Sequence, residues 1–183
     1  RVTVAAASPE IREDALLGGR VRLHQPVRGY RAGMDAALLA AAVAAGPGER
    51  VIEAGCGPGA VLTQVAARCP EAGLFGLERE PEIAALARRN IESNGLDDRA
   101  DVRLGDVAAG FRALDLPPFD WAISNPPFFD DPGRPRPPAP ERRAAWMADD
   151  GLAAWTVFLL KAVREGGRIV MIHRAERLGD ILA

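Results

Sequence analysis

The stretch Arg50-Val51-Ile52-Glu53-Ala54-Gly55-Cys56-Gly57-Pro58-Gly59 decides the fold. Its first five residues form a short β-like run, and the alternating glycines after it turn the backbone sharply. A helical pattern resumes at Ala60 and runs to Arg68, so a helix N-terminus sits directly on the glycine turn. Outward from this unit the punctuation alternates between strand and helix. Gly73 to Glu78 reads as a second strand, and Pro81 to Asn94 as a proline-initiated helix stopped by Gly95. Asp101 to Leu104, Phe119 to Ser124 and Arg168 to His173 supply three further strands, with an amphipathic helix predicted over Leu152 to Arg164. Upstream, Met34 to Ala45 is a helical stretch closed by Gly46-Pro47-Gly48. Strands with intervening helices and no internal repeat imply an α/β fold: a Rossmann-like, doubly wound, mainly parallel sheet.

Composition is consistent with one globular domain. The chain has 183 residues, 48% hydrophobic and 26% charged, enough to bury a core without disulfides or structural metal. Residues 1–33 read as a lead-in and 34–183 as the catalytic domain. The chain starts at Arg1 and stops at Ala183 inside a helical pattern, so both ends read as trimmed. Cys56 and Cys69 lack zinc-site spacing, no metal is expected, and both read as buried small hydrophobes. With no signal-like N-terminus, a reducing cytoplasm is the expected compartment. The longest wholly apolar run, Ala36 to Ala45, is too short to span a membrane. A net charge of -2 excludes a protein that is basic throughout, so nucleic-acid binding requires a local patch. Lys161 is the only lysine, and arginine carries the remaining positive charge. Asp130 to Pro140 holds five prolines, which predicts an extended, mobile lid beside the fourth strand.

The glycine turn alone is ambiguous, because Gly55 to Ala60 also satisfies the dinucleotide pattern G-x-G-x-x-A. Glu53, two residues before it, favours a ligand with a cationic amino-acid end over a pyrophosphate. S-adenosylmethionine is such a ligand. Glu78 ends the second strand, where a carboxylate accepts from both hydroxyls of a ribose; the competing reading is a solvated charge. Asp106 lies at the rim of the third strand, placed either to accept from an adenine amino group or to cap the next turn. The sharpest signal is Asn125-Pro126-Pro127-Phe128-Phe129. Two prolines fix the backbone so that the Asn125 oxygen and a main-chain carbonyl point at one exocyclic amino group, while Phe128 offers a face to a flat base. As plain structure this is a turn followed by core phenylalanines. That reading leaves unexplained why the turn falls at the rim where a cofactor would lie.

At these residues the chain resembles class I S-adenosylmethionine-dependent methyltransferases of the amino-methylating type. Within them it is most similar to the bacterial tRNA1(Val) adenine N6-methyltransferase family. Gln25-Pro26, Gly29 to Asp35 and Leu38-Leu39 carry the narrower match, with Phe129 after Phe128. The resemblance implies that Glu53, Gly55, Gly57 and Gly59 cradle the methionine end of the cofactor, that Glu78 holds its ribose and that Asp106 holds its adenine. It implies that Asn125, Pro126, Pro127 and Phe128 form the catalytic motif around the target base. Asp35 would lie beside the same pocket with the cofactor residues, or serve as a plain N-cap. Family sheets have seven strands, and the last two are expected to be missing here.

An adenine amino nitrogen is a weak nucleophile because its lone pair is delocalised into the ring. Acceptors at Asn125 and the Pro126 carbonyl would draw that pair back, with no general base needed beforehand. His24 and His173 lie far from the motif in sequence and read as structural or surface residues. Arg12, Arg20, Arg22, Arg28 and Arg31, with Arg134, Arg136, Arg142 and Arg143, are expected to flank the pocket and contact RNA, with an unstacked anticodon loop as the expected target. Competing functions are methylation of a ribosomal RNA guanine or a protein glutamine, an NAD-type oxidoreductase, and a non-catalytic RNA-binding subunit.

Overall fold

The computed structural model describes residues 10–28, 31–127 and 151–182. Its centre is a five-stranded parallel sheet: β3 (Arg50–Ala54), β4 (Gly73–Glu78), β5 (Ala100–Leu104), β6 (Phe119–Ser124) and β7 (Val163–Met171), in the order β5-β4-β3-β6-β7. The chain winds outward from β3 through β4 to β5, then returns to the other side of β3 for β6 and β7. The winding therefore reverses between β3 and β6, and a crevice opens at their C-terminal ends. The expected doubly wound architecture is what the chain adopts.

Both faces of the sheet are covered. Val51, Trp121 and Ile123 point to one side, where α1 (Met34–Ala42), α2 (Ala60–Arg68) and α3 (Pro81–Ser93) supply Leu39, Leu62, Val65, Ala87 and Ile91. Ile52, Ala54 and Ala122 point to the other, against Phe111, Phe158 and Leu159. Phe158 lies on α4 (Gly151–Ala162). Burial on both faces explains why successive residues in the middle of β3 (Val51, Ile52) and of β6 (Trp121, Ala122, Ile123) are all apolar.

Several boundaries differ from the sequence reading. α1 stops at Ala42, because Val43 takes an extended conformation at its C-cap. α4 ends at Ala162 rather than Arg164, and β7 starts at Val163 rather than Arg168 and ends at Met171 rather than His173. The pairing of β6 with β7 is irregular there: Phe119 is opposite Val163, but Trp121 is opposite Arg168. Gly166 and Gly167 within this stretch hid the strand's first half from a periodicity reading.

The segment before α1 holds an unanticipated antiparallel hairpin, β1 (Ile11–Leu16) and β2 (Val21–Pro26). Gly18 and Gly19 make its turn at φ +66° and +89°. Val21 and Leu23 are buried, and Leu23 joins the core beneath α1 and α2. α5 (Leu178–Leu182) ends the described chain. Among the described residues no helix is long and apolar enough to cross a membrane, and no group of three or more His, Cys, Asp or Glu side chains could hold a metal ion. The lid expected over Asp130 to Pro140 lies outside the described residues.

Candidate active site

Everything at the rim is organised by the turn after β3. Gly55, Gly57 and Gly59 all adopt left-handed φ, +68°, +54° and +81°. At Gly55 there is a second reason for glycine: a Cβ would lie 2.6 Å from Cη2 and 2.8 Å from Cζ3 of Trp155. At Gly57 the same atom would meet nothing within 4 Å, so the turn is open on that side. Two hydrogen bonds tie the turn to the end of β4. The Cys56 amide donates to the Leu77 carbonyl at 3.0 Å, and the Gly57 amide donates to Glu78 Oε2 at 2.9 Å.

Glu53 lies under this turn, 2% exposed. It accepts a backbone hydrogen bond from Leu62 in α2, while its Oε2 has no hydrogen-bond partner among the described residues. Burial, reinforced by the nearby Glu78 charge, pushes its carboxyl well above the ordinary range. A buried carboxyl with one unused oxygen favours either a proton or a cation. Cys56 is also buried, and burial first, then the Glu53 and Glu78 charges, pushes its thiol well up. It is therefore a packing residue and no nucleophile. Cys69 is likewise buried and free.

Glu78 ends β4 next to the turn, as the sequence implied. Both of its oxygens are already engaged: Oε2 by Gly57 and Oε1 by the Glu80 amide at 2.9 Å. Each keeps a second lone pair for a ligand hydroxyl. Asp106 caps the 3-10 turn Val107–Ala109, accepting from the Ala108 amide at 2.9 Å, so the capping alternative is realised through Oδ1. Asp35 is not an N-cap. That position belongs to Gly33, and Asp35 stands exposed in the first turn of α1.

Asn125 follows β6 as Gly55 follows β3, and the register pairs Ala54 with Ser124. Asn125 and Gly55 therefore leave the sheet side by side at the switch point. Ser124 fixes this arrangement, its hydroxyl donating to the Ala54 carbonyl at 2.9 Å while its own carbonyl accepts from Ile172 at 3.1 Å. Asn125 is half-buried, Pro126 buried and Pro127 half-buried. Phe128 lies outside the described residues, with Phe129, Arg134, Arg136, Arg142 and Arg143.

One residue beside the site was missed by sequence reading, and another, Gln25, was noted there only as part of the family match. Asn90, fully buried in α3, joins the hairpin to the glycine turn. Its Oδ1 accepts from the His24 amide at 2.7 Å, and its Nδ2 donates to the carbonyls of His24 at 2.7 Å and Pro58 at 2.8 Å. A polar residue within the buried stripe Ala84, Ala87, Ile91 was the available signal. Gln25, 2% exposed, donates to Asp14 at 2.5 Å and accepts from the Ala32 amide at 3.0 Å, which holds the approach to α1.

Of the N-terminal arginines expected to flank the pocket, Arg20 and Arg22 lie away from the strand C-termini. Arg12 and Arg31 both pair with Asp14. Arg22 donates to the Ser93 carbonyl at 2.6 Å, at the C-terminal end of α3. α3 runs back from the strand C-termini, and thirteen residues at about 1.5 Å each carry that end to the opposite rim, with Arg20 in the hairpin turn beyond it. His24 is structural, its ring lying 3.2 Å from Glu13 and 3.0 Å from Asn90.

Residues 31–134 match the family model described as Methyltransferase small domain. A Porphyromonas gingivalis protein named tRNA1(Val) (adenine(37)-N6)-methyltransferase is 27% identical over 160 residues, 82% of this chain and 61% of that protein. A Rhodospirillum rubrum protein named release factor glutamine methyltransferase is 37% identical over 87 residues, 48% of this chain and 26% of that one. Among solved structures, the Agrobacterium tumefaciens protein Atu636, called a predicted O-methyltransferase, superposes with a TM-score of 0.62 at 30% identity, covering 81% of this chain and 65% of its own. The chain thus spans less than two thirds of the length of each of these relatives.

Proposed function

The chain belongs to the methyltransferase small domain family, and on that premise we propose that it transfers a methyl group from S-adenosylmethionine to the exocyclic N6 of an adenine in tRNA. The observation that carries this reading is the juxtaposition of Asn125-Pro126-Pro127 with the glycine turn at the switch point, set by the register of Ala54 with Ser124.

The residues present fit the cofactor. Glu53 has an unused buried oxygen under the turn, which suits a cationic amino-acid end and disfavours the pyrophosphate of a dinucleotide. The left-handed turn of Gly55, Gly57 and Gly59 leaves backbone open at Gly57, and Glu78 keeps lone pairs for ribose hydroxyls. The remaining Asp106 oxygen is assigned to the adenine of the cofactor, and Asp35 to the entrance. When bound, S-adenosylmethionine supplies an electrophilic sulfonium methyl.

This chain's own residues prepare the acceptor. The Asn125 side-chain oxygen and the Pro126 carbonyl accept hydrogen bonds from the amino group, withdrawing its lone pair from the ring and aiming it at the donor. Phe128 is assigned to the face of the base. The amino proton becomes acidic only as the new C–N bond forms, so solvent can take it afterwards. The name of the Porphyromonas relative supports tRNA adenine as the acceptor; that of the Rhodospirillum relative supports a glutamine amide as the second reading, since both acceptors present a planar NH2.

The test is transfer of labelled methyl from S-adenosylmethionine to an unmodified valine tRNA transcript. One methyl per transcript is expected, lost when the target adenine is changed to guanine. Unchanged transfer after that substitution would overturn the acceptor assignment.

A further inference from the structure

Trp155 is absent from every role assigned so far. It lies on α4, whose buried residues Leu152, Phe158, Leu159 and Ala162 mark the side that faces the sheet. Trp155 shares that side and packs against the aromatic core containing Phe111, Phe119 and Phe158. Because β7 follows α4 directly and runs parallel to β6, α4 descends from the C-terminal rim, and Trp155 is one turn nearer that rim than Phe158. Its six-membered ring rests on Gly55, where a Cβ would be only 2.6 Å from Cη2. Gly55 in turn leaves the sheet beside Asn125. Trp155 is half-buried rather than enclosed, unlike Phe158 one turn further along the helix.

We propose that Trp155 is an acceptor-binding residue: its indole forms the apolar wall of the crevice opposite Asn125, against which the flat acceptor rests while its amino group is held. This deepens the reading above and rests on it. Three features fit that role together. The ring is held by Gly55 and the core, so it is ordered before binding. It is the aromatic of α4 at the height of the switch point, whereas Phe158 is sealed within the core. A planar base gains from aromatic contact whatever its identity, so Trp155 supplies affinity while Asn125 selects the amino group.

The experiment compares the parent chain with Trp155→Phe and Trp155→Leu, using the valine tRNA transcript as acceptor and calorimetry for S-adenosylmethionine. Trp155→Leu is expected to raise the transcript KM by roughly five- to hundredfold, the effect of losing one base-aromatic stack, with cofactor affinity within twofold of the parent. Trp155→Phe keeps an aromatic face and is expected to recover most of that loss. Transcript binding should also quench indole fluorescence in the parent and not in Trp155→Phe, a signal that a purely structural role would not give. Thermal unfolding checks that both variants fold. Parent transfer with an unchanged KM in Trp155→Leu, or no difference in quenching between parent and Trp155→Phe, overturns the role of Trp155. Absence of transfer by the parent overturns the proposed function instead.

Discussion

Gly55→Ala tests the central turn quantitatively, because the structure separates two costs there. An L-residue held at φ +68° costs about 1–2 kcal/mol relative to glycine. The added Cβ would also stand 2.6 Å from Trp155, and overpacking of this kind costs about 1–3 kcal/mol. Gly55→Ala should therefore destabilise by about 2–5 kcal/mol, a large share of the stability of an ordinary domain. Gly57→Ala is the internal control: its φ is +54°, but nothing lies within 4 Å of the new atom, so only the backbone cost of about 1–2 kcal/mol applies. Urea denaturation of both variants gives the difference. A double variant with Trp155→Leu should recover most of the steric component, giving a coupling of about 1–3 kcal/mol. Equal destabilisation at Gly55 and Gly57, with strict additivity to Trp155→Leu, would refute the contact and the reason given for glycine at Gly55.

Glu78→Ala removes a carboxylate that tethers Gly57 and is assigned to the ribose; cofactor affinity should fall by about 1.5–3 kcal/mol, read by calorimetry. Asn90→Ala breaks the link between hairpin, α3 and turn, with an expected loss of about 2–4 kcal/mol in denaturant unfolding and weaker cofactor binding although Asn90 lies beneath the turn. Glu53 has a carboxyl raised by burial above its ordinary 4.5, so the fold favours its protonated form. That contribution is complete below about pH 4.5 and lost as pH rises through the raised value. Glu53→Gln should match the parent in acid and exceed its stability in alkali, while binding S-adenosylmethionine more weakly; chemical denaturation across pH checks the first and calorimetry the second.

The parallel sheet was legible because its strands are short apolar runs closed by glycine or a charge, and because helices between parallel strands leave a strong alternating punctuation. The placement of Glu53, Gly55, Gly57, Gly59 and Asn125 was legible for a related reason: they sit at or just after strand ends, and such residues gather at the switch point of this kind of sheet. The hairpin carried a signal, Gly18-Gly19 between Leu16 and Val21, but charged residues along β1 masked its alternation. Asn90 and Trp155 act across the fold. Their partners, Pro58 and His24 for one and Gly55 for the other, are remote in sequence; a polar residue in a buried stripe marked Asn90, but local pattern does not say what such a residue pairs with. Likewise Arg12, Arg20 and Arg22, grouped in sequence, are spread along the hairpin.

The most direct measurement of the account is nucleoside mass spectrometry on unmodified total RNA incubated with the chain and labelled S-adenosylmethionine, run beside a release-factor protein under the same conditions. The account predicts label in N6-methyladenosine from tRNA. Label in a methylated guanosine, or in a glutamine of the protein with none in adenosine, would contradict it.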